Sequence, residues 1–382
     1  MTAAATYPYD YLVVGAGLFG SCFARIATDN GHRVKVIDRR PHIGGNCYTE
    51  ERERIHIHRY GPHIFHTSNE AVWSFINRFA TFNNFINSPL ALSRGQLLSL
   101  PFNMHTFYQL WQTRTPTEAR ERIEEQRLKL DRPPVNLEEQ ALSLVGNDIY
   151  ERLILGYTQK QWQKHPRDLP AEIIRRLPVR FTFDNNYFND RYQGIPVNGY
   201  TQVFERLLEG IDVQLGVDFH DSREFWESQG AKIVYTGKID ELFGYSEGEL
   251  EYRALKFEDT WHQQRNVQGN AVINYCDADV PWTRMIEHKH FSPQADDPEC
   301  SVLTKETPMA WSRDETPYYP INNDANMSVY KAYAERAVSL DRYILGGRLA
   351  EYKYYDMHAV IGSALLRCQS LGLAVDIERS GE

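Results

Sequence analysis

The chain has 382 residues, of which 42% are hydrophobic and 24% charged, as is typical of a globular protein with two or three domains. Its net charge of -9 argues against a general nucleic-acid-binding protein, which needs a basic face. No apolar stretch approaches the roughly 20 residues that span a bilayer, and no basic signal-peptide region precedes the first strand pattern. The five scattered cysteines favour a reducing, cytoplasmic setting.

A dinucleotide-binding pattern comes first along the chain. The apolar run at 11–14 predicts a buried parallel strand, and the loop Gly15-Ala16-Gly17-Leu18-Phe19-Gly20 leads from it into a helical pattern. Residues 34–37 predict a second strand, which ends at Asp38. This order of strand, glycine loop, helix, strand and acidic residue is the context that a dinucleotide fingerprint requires.

Each residue of the fingerprint has a physical role. Gly15 allows the tight turn, Gly17 lets a pyrophosphate approach the main chain, and Gly20 permits close packing of helix on strand. Asp38 is expected to accept hydrogen bonds from the adenosine ribose. The free N–H groups at the helix N-terminus favour the phosphates.

A second glycine pair decides which cofactor is expected. Gly44-Gly45 follows the Asp38 strand, within Arg39-Arg40-Pro41-His42-Ile43-Gly44-Gly45-Asn46, and lets the main chain pass close to an extended ligand. The arrangement resembles the Gly-Gly motif of FAD proteins of the glutathione-reductase and amine-oxidase type. Because no second glycine fingerprint for a nicotinamide cofactor follows, FAD is predicted.

The remaining pattern predicts an α/β protein in which a discontinuous Rossmann-like FAD-binding domain carries an inserted helical-bundle domain and an antiparallel β-sheet domain. Helices are predicted around 69–85, 104–165, 198–208 and 358–371. Strands are predicted at 211–219, 232–235, 252–257, 271–275, 301–305 and 343–345, with a β-like aromatic stretch at 178–198. The FAD-binding domain is assigned residues 1–80, 199–243 and 321–382; the mainly helical domain with a mobile substrate loop, 81–175; and the antiparallel-sheet domain, 176–198 and 244–320.

Several further motifs, spread over nearly the whole chain, resemble bacterial UDP-galactopyranose mutase. They are Gly-Pro-His-Ile-Phe-His-Thr (61–67), Tyr-Thr-Gln-Lys-Gln-Trp (157–162), Arg-Leu-Pro-Val-Arg-Phe (176–181), Asp-Asn-Asn-Tyr-Phe (184–188), Glu-His-Lys-His-Phe (287–291), Pro-Tyr-Tyr-Pro-Ile-Asn (317–322) and Gly-Arg-Leu (347–349). The resemblance implies non-covalent FAD that is active when reduced, with flavin N5 as nucleophile at the anomeric carbon during interconversion of UDP-galactopyranose and UDP-galactofuranose. It also implies a homodimer, an unidentified flavin reductant, and a supply of galactofuranose for cell-surface glycans.

The resemblance assigns roles to individual residues. The implied catalytic residues are Arg176, Arg284 and His63. The implied FAD contacts are Gly15, Gly17, Phe19, Gly20, Asp38, Arg39, Gly45, Asn46, His63, Ile64, Val217, Arg348, Tyr355, Asp356 and Met357. The implied substrate contacts are Asn84, Tyr157, Thr158, Trp162, Arg176, Tyr187, Arg253, Asn274, Arg284, Tyr319 and Tyr354. Guanidinium groups bind a diphosphate through charge-assisted hydrogen bonds. Stacking of an aromatic ring on a base contributes about 1–3 kcal/mol to binding, which would explain the large number of tyrosines, 23 in this chain.

Four histidines fall within residues 56–66. His56 and His58 alternate as in a strand, so both should lie on one face, partly exposed. His63 and His66 could be metal ligands, core residues or part of the flavin pocket. No cysteine pair or HExxH motif lies nearby, so a flavin-side role for His63 is preferred, with His66 behind it, and no metal is predicted.

Two other classes of protein remain open at this stage. A flavin oxidoreductase of the amine-oxidase type would share the fingerprint but would not need the set of arginines and tyrosines. A non-enzymatic protein resembling the Rab GDP-dissociation inhibitor would share the architecture without flavin. The intact glycine loop with Asp38 argues against the second.

Overall fold

The computed structural model describes residues 7–174, 178–292 and 298–377. Its strands are, in chain order, β1 (Tyr9–Val14), β2 (Val34–Asp38), β3 (Thr49–Arg52), β4 (Ile55–His58), β5 (Phe65–Thr67), β6 (Leu90–Ser93), β7 (Gln96–Ser99), β8 (Tyr192–Gly194), β9 (Asp212–Leu215), β10 (Gly230–Tyr235), β11 (Tyr252–His262), β12 (Val272–Tyr275), β13 (Arg284–Glu287), β14 (Ser301–Ala310), β15 (Tyr319–Pro320) and β16 (Tyr343–Leu345).

The α-helices are α1 (Leu18–Asp29), α2 (Glu70–Asn77), α3 (Met104–Trp111), α4 (Pro116–Gln126), α5 (Leu137–Ile149), α6 (Gly156–Trp162), α7 (Gly199–Leu207), α8 (Arg223–Gln229), α9 (Ile239–Leu242), α10 (Asp324–Ala337) and α11 (Met357–Ser370). A π-helical stretch at Tyr150–Leu155 joins α5 to α6. Local sequence explains several of the ends. Thr115 and Glu118 form a capping box at α4 with Pro116 in its first turn, and Asn103 caps α3 in the same manner.

A five-stranded parallel sheet in the order β16-β10-β1-β2-β9 forms the first layer. Its strands come from distant parts of the chain, so the predicted discontinuous Rossmann-like domain is confirmed. Helices α1 and α11 pack against each other on this sheet, and central residues such as Val13 and Val36 are fully buried. Near-continuous apolar strands of this kind are what a sheet covered on both faces requires.

A second sheet of seven strands follows the order β15-β11-β14-β13-β12-β6-β7. It is antiparallel except where β12 pairs with β6. The hairpin of β6 and β7 was not predicted, and it lies within residues 81–175, which were assigned to the mainly helical domain. Its loop is Arg94-Gly95, two residues with φ of 52° and 74°, as a tight type I′ turn demands. The stretch predicted to be β-like at 178–198 contributes only β8, which pairs with β5 instead of joining this sheet.

The predicted helical region between 104 and 165 is confirmed. Helices α3 to α6 enclose a core of their own, in which Phe107, Ala141, Val145 and Ile149 are fully buried. Across the described ranges, no helix is both long and apolar enough to cross a membrane.

The fingerprint glycine Gly20 should be intolerant of a side chain. A Cβ there would overlap the carbonyl oxygen of Gly15, whereas one at Gly362, on α11, would meet only Val72 Cγ2 at 3.7 Å. We expect Gly20→Ala to lower the free energy of unfolding by about 1–3 kcal/mol. As the matched control, Gly362→Ala should be neutral or stabilising by up to about 1 kcal/mol, since alanine is the better helix former. Urea unfolding of both variants measures this, and equal stability of the two would contradict the packing argument.

Candidate functional site

One cavity of about 520 Å³ lies between the two sheets. The loop after β1 and the end of β2 line one part of it. Strands β12 to β14, helix α6 and the start of α11 line another. A ligand held by the glycine loop and a second ligand held by the antiparallel sheet would therefore share one space.

The glycine loop leaves the N-terminus of α1 open. Gly15 has φ of 110° and lies against Thr236, and Gly17 caps α1 without a side-chain hydrogen bond. Gly45, at φ 55°, brings its loop so close that a Cβ on it would lie 3.1 Å from Gly17 Cα. Two facing main-chain segments without side chains form a cradle in which free N–H groups can meet a phosphate.

Asp38 ends β2 beside this cradle. Its Oδ2 accepts a hydrogen bond from the Ala16 N–H at 2.7 Å, and its Oδ1 accepts one from the Arg40 N–H at 2.8 Å. The carboxylate therefore ties the two loops together. Because a carboxylate has about four acceptor positions, capacity remains for ribose hydroxyls.

The four histidines at 56–66 lie in different surroundings, some in the wall of the cavity and others in the protein interior. His63 lines the cavity, and its Nδ1–H donates to the Gly61 carbonyl at 2.8 Å, which leaves Nε2 unprotonated in the neutral ring. The main-chain N–H of His63 donates to His58 Nδ1, and that of His58 donates to His288 Nδ1. His58 is buried, so the expectation that it is partly exposed is wrong, while half-buried His56 lies against Gly199.

His66 faces another part of the cavity. It stacks on Phe188 at 3.7 Å between ring centroids and bonds through Nδ1 to Asp190 at 2.6 Å. His66, Asp356 and His358 each place one potential ligand atom within 4.8 Å of the others. The Asp190 contact leaves Nε2 of His66 available, and a metal-bound histidine commonly donates its other N–H to a carboxylate. The grouping therefore does not test the predicted absence of a metal, which stays a prediction.

An ion pair between neighbouring strands supplies the cavity with a fixed cation. Arg284 on β13 and Glu306 on β14 are register partners, and Arg284 donates from Nε and Nη2 to Glu306 Oε1 at 2.9 and 2.7 Å. The Glu306 side chain is fully buried, and its Oε2 has no hydrogen-bond partner among the described residues. Both residues line the cavity. Burial alone would lower the pKa of Arg284, but the Glu306 carboxylate and the phenols of Tyr157 and Tyr319 together raise it above its ordinary value, so the guanidinium group keeps its charge.

Four tyrosines surround Arg284. Burial raises the pKa of Tyr157, Tyr187 and Tyr319, so each phenol stays neutral and can donate a hydrogen bond at neutral pH. The rings of Tyr319 and Tyr354 stack with centroids 5.2 Å apart. The neighbouring Tyr318 packs instead against Phe257, so the side chain beside Arg284 is that of Tyr319.

The cavity collects most of the predicted site residues. Its lining includes Gly15, Gly17, Phe19, Asp38, Arg39, Gly45, Asn46, His63, Ile64, Tyr157, Tyr187, Val217, Asn274, Arg284, Tyr319, Arg348, Tyr354, Tyr355, Asp356 and Met357. Arg176 lies outside the described residues.

Five predicted residues do not line this cavity, namely Gly20, Asn84, Thr158, Trp162 and Arg253. Gly20 packs against the Gly15 carbonyl. Arg253 is buried, and its Nε and Nη2 donate to the Gln161 carbonyl at 3.1 and 2.8 Å, near the end of α6. A cation in the last turn of a helix stabilises it, so this guanidinium holds α6 in place.

Sequence reasoning missed Glu306, Asn87, Phe188 and Asp190. Glu306, Asn87 and Phe188 line the cavity, and Asp190 bonds His66. Phe188 belongs to a motif already noted, but its neighbour Tyr187 was preferred there. The other three could not be recognised from local sequence. They approach the site only because the fold brings together β14, the segment before β6 and the segment before β8.

Comparisons with known proteins agree with this geometry. Residues 152–354 match the family model for UDP-galactopyranose mutase, and residues 13–79 match that for an NAD(P)-binding Rossmann-like domain. A dTDP-fucopyranose mutase of Escherichia coli is 41% identical over 93% of this chain and 96% of its own length. A probable UDP-galactopyranose mutase of Klebsiella pneumoniae is 42% identical over 93% of each. The crystal structure of a reduced UDP-galactopyranose mutase shares the fold, with a TM-score of 0.73 over 96% of this chain and 95% of that one at 14% identity.

Acid should destabilise the folded protein through the histidine chain. Burial lowers the pKa of His63 to about 4 and that of His288 to about 3, whereas the histidines of an unfolded chain have a pKa of about 6.5. The stabilisation is complete above about pH 6.5 and is lost towards pH 4, because only the unfolded chain binds protons in that interval. We expect the urea midpoint to fall as the pH is lowered through this window.

The matched variant for this prediction is His288→Gln, which can still accept from the His58 N–H and donate to Thr304. It should show a shallower dependence of unfolding free energy on pH, by up to about 1.4 kcal/mol per pH unit. An identical dependence in the two proteins would show that His288 does not contribute.

Proposed function

The chain belongs to the UDP-galactopyranose mutase family, and from this premise we propose that it interconverts UDP-galactopyranose and UDP-galactofuranose with bound, reduced FAD. One observation carries the proposal. The glycine cradle lines the same cavity as Arg284 and the tyrosines around it, so a dinucleotide and a phosphate-bearing substrate can meet there. An isomerase that needs a cofactor has to bring the two together in this way.

The described residues fit FAD on structural grounds. The cradle between Gly17 and Gly45 has room that a Cβ would fill, and the first turn of α1 offers N–H groups to a pyrophosphate. Asp38 would hold the ribose, and Arg348 would lie along the phosphates. His63 and the N-terminus of α11, at Met357, would border the ring system. When bound and reduced, FAD would supply a nucleophilic N5 for the anomeric carbon.

The chain's own part is to bind and orient the nucleotide sugar. Arg284 gives two of its five N–H donors to Glu306, so donors remain on Nη1 and Nη2 for Tyr319 and the diphosphate. Neutral phenols of Tyr157, Tyr187 and Tyr319 can donate to phosphate oxygens, and their charge does not change near neutral pH. A fixed cation and fixed dipoles directed at the departing diphosphate stabilise the charge that develops there.

His63 is suited to accept a hydrogen bond at Nε2 and not to donate one from that atom. Its Nδ1–H is committed to the Gly61 carbonyl, and burial lowers its pKa to about 4. The ring therefore presents an uncharged acceptor beside the cofactor at neutral pH. This supports a role in holding the ring system through a hydrogen bond, since burial disfavours the protonated imidazole.

Further parts of the proposal rest on the family resemblance. Arg176 would close over the diphosphate from a mobile loop, and Asn84, Thr158, Trp162 and Arg253 would contact the substrate. The protein would act in the cytoplasm as a homodimer, draw electrons from a separate reductant, and supply galactofuranose for cell-surface glycans. The domain boundaries given above are part of the same proposal.

The similarity to a dTDP-fucopyranose mutase makes dTDP-fucose a second candidate substrate. Fucose lacks the hydroxyl on C6 of galactose, and dTDP differs from UDP in its base methyl group and its deoxyribose. A site that hydrogen-bonds a hydroxyl rejects the analogue that lacks it far more strongly than an apolar pocket rejects an added hydroxyl. The relative rates on the two sugars therefore report how the sugar end of the cavity is built.

The assay that tests the proposal gives the holoprotein UDP-galactofuranose, with and without dithionite, and follows UDP-galactopyranose by chromatography. We expect conversion only after reduction, and a kcat/KM for the dTDP-fucose pair lower by about 10-fold or more. Conversion by the oxidised protein would contradict the role of reduced FAD. Preference for dTDP-fucose would reassign the substrate within the same family, and no conversion of either pair would reject the proposed function.

A further inference from the structure

A partly buried lysine joins helix α6 to the antiparallel sheet. Lys160 Nζ donates to the carbonyl oxygens of Tyr275, Asp277 and Trp282 at 2.8, 2.7 and 3.0 Å. All three acceptors lie in or beside the connection between β12 and β13. An ammonium group has three donors, so these carbonyls use all of them.

The same connection is in contact with α6 at a second point. Gly156, one turn before Lys160 on the same face of the helix, lies so close to it that a Cβ would overlap the Cys276 carbonyl. On its other side, the connection is bound to the β6–β7 hairpin, because the Asp277 carboxylate accepts hydrogen bonds from Ser93 Oγ and the Arg94 N–H. It is therefore a rigid platform for α6.

The platform is flanked by residues of the proposed substrate site. Asn274 precedes it, Arg284 follows it, and the two are register partners on β12 and β13. Tyr157, which lies next to Gly156 on α6, lines the cavity near Arg284. The separation of Tyr157 from Arg284 is thus set by the contacts of Gly156 and Lys160 with the platform.

We propose that Lys160 is a positioning residue for the substrate diphosphate: it locks α6 onto the β12–β13 connection so that Tyr157 and Arg284 form one binding surface. The inference rests on the proposed function and deepens it. Three charge-assisted hydrogen bonds from one side chain hold the helix more firmly than neutral contacts would. Without them, Tyr157 can move away from Arg284, and small displacements of a positioned group weaken the binding of the diphosphate.

The test uses FAD-loaded, reduced protein and compares wild type with Lys160→Met. UDP is the binding probe, and UDP-galactofuranose is the substrate. We expect the Kd for UDP and the KM to rise about 10-fold or more, while kcat changes less and the flavin absorbance is retained. Lys129→Met is the matched control, since Lys129 is 72% exposed and its ion pair is with Glu124 on the surface, and it should behave as wild type.

A double-mutant cycle separates positioning from general stability. If Lys160 acts through Tyr157, Tyr157→Phe should weaken UDP binding less in the Lys160→Met background than in wild type.

Should Lys160→Met fail to fold, Gly156→Ala moves the same helix without removing a charge and takes the place of Lys160→Met in the same cycle. Additive effects, or an unchanged Kd for UDP, would overturn the inference. Wild-type protein that neither binds UDP nor converts the sugar would instead reject the proposed function.

Discussion

The ion pair between Arg284 and Glu306 is the contact on which the rest of the site depends. A fully buried carboxylate without a cation would cost several kcal/mol, and so would a cation in an enclosed cavity without an anion. The register of β13 and β14 solves both problems, because it sets the two side chains opposite each other. It also holds the guanidinium group from one side only, so that its remaining N–H donors and the phenols of Tyr157 and Tyr319 can face an anionic ligand.

The two sheets offer different kinds of binding group to the shared cavity. The parallel sheet presents main chain, in the glycine cradle and the N-terminus of α1, which suits a cofactor that stays bound. The antiparallel sheet presents side chains, in Arg284 and the tyrosines, whose contacts can form and break with each substrate. Between them, the neutral chain His63–His58–His288 joins the cavity wall to the antiparallel sheet by two hydrogen bonds. In the proposed function, this division keeps FAD in place while UDP is held, released and held again.

The sequence was informative where its signals are local. The glycine loop, Asp38 and the parallel strands follow from spacing within about forty residues, and the structure confirms them because turn geometry and strand burial are decided locally.

Contacts between distant segments were not predictable in this way. Glu306 faces Arg284 only through strand register, and Asp190 meets His66 only because β5 pairs with β8. The hydrogen bonds from Arg253 to the Gln161 carbonyl on α6 were equally invisible, because no local pattern shows which helix packs beside β11. The β6–β7 hairpin was overlooked because its two short strands carry too few residues to establish a period of two.

The most direct test of the account is the affinity of the reduced holoprotein for UDP when Arg284 is replaced. Arg284→Ala removes the cation and leaves the buried Glu306 carboxylate facing the diphosphate, so binding loses an attraction and gains a repulsion. Isothermal titration should then give a Kd for UDP at least about 30-fold higher than in wild type, with the flavin spectrum retained. Arg284→Lys should recover only part of the loss. An ammonium group lacks the rigid, planar arrangement of donors with which a guanidinium group hydrogen-bonds Glu306 and a phosphate at the same time. A Kd for UDP unchanged by Arg284→Ala would contradict the claim that this ion pair organises the site.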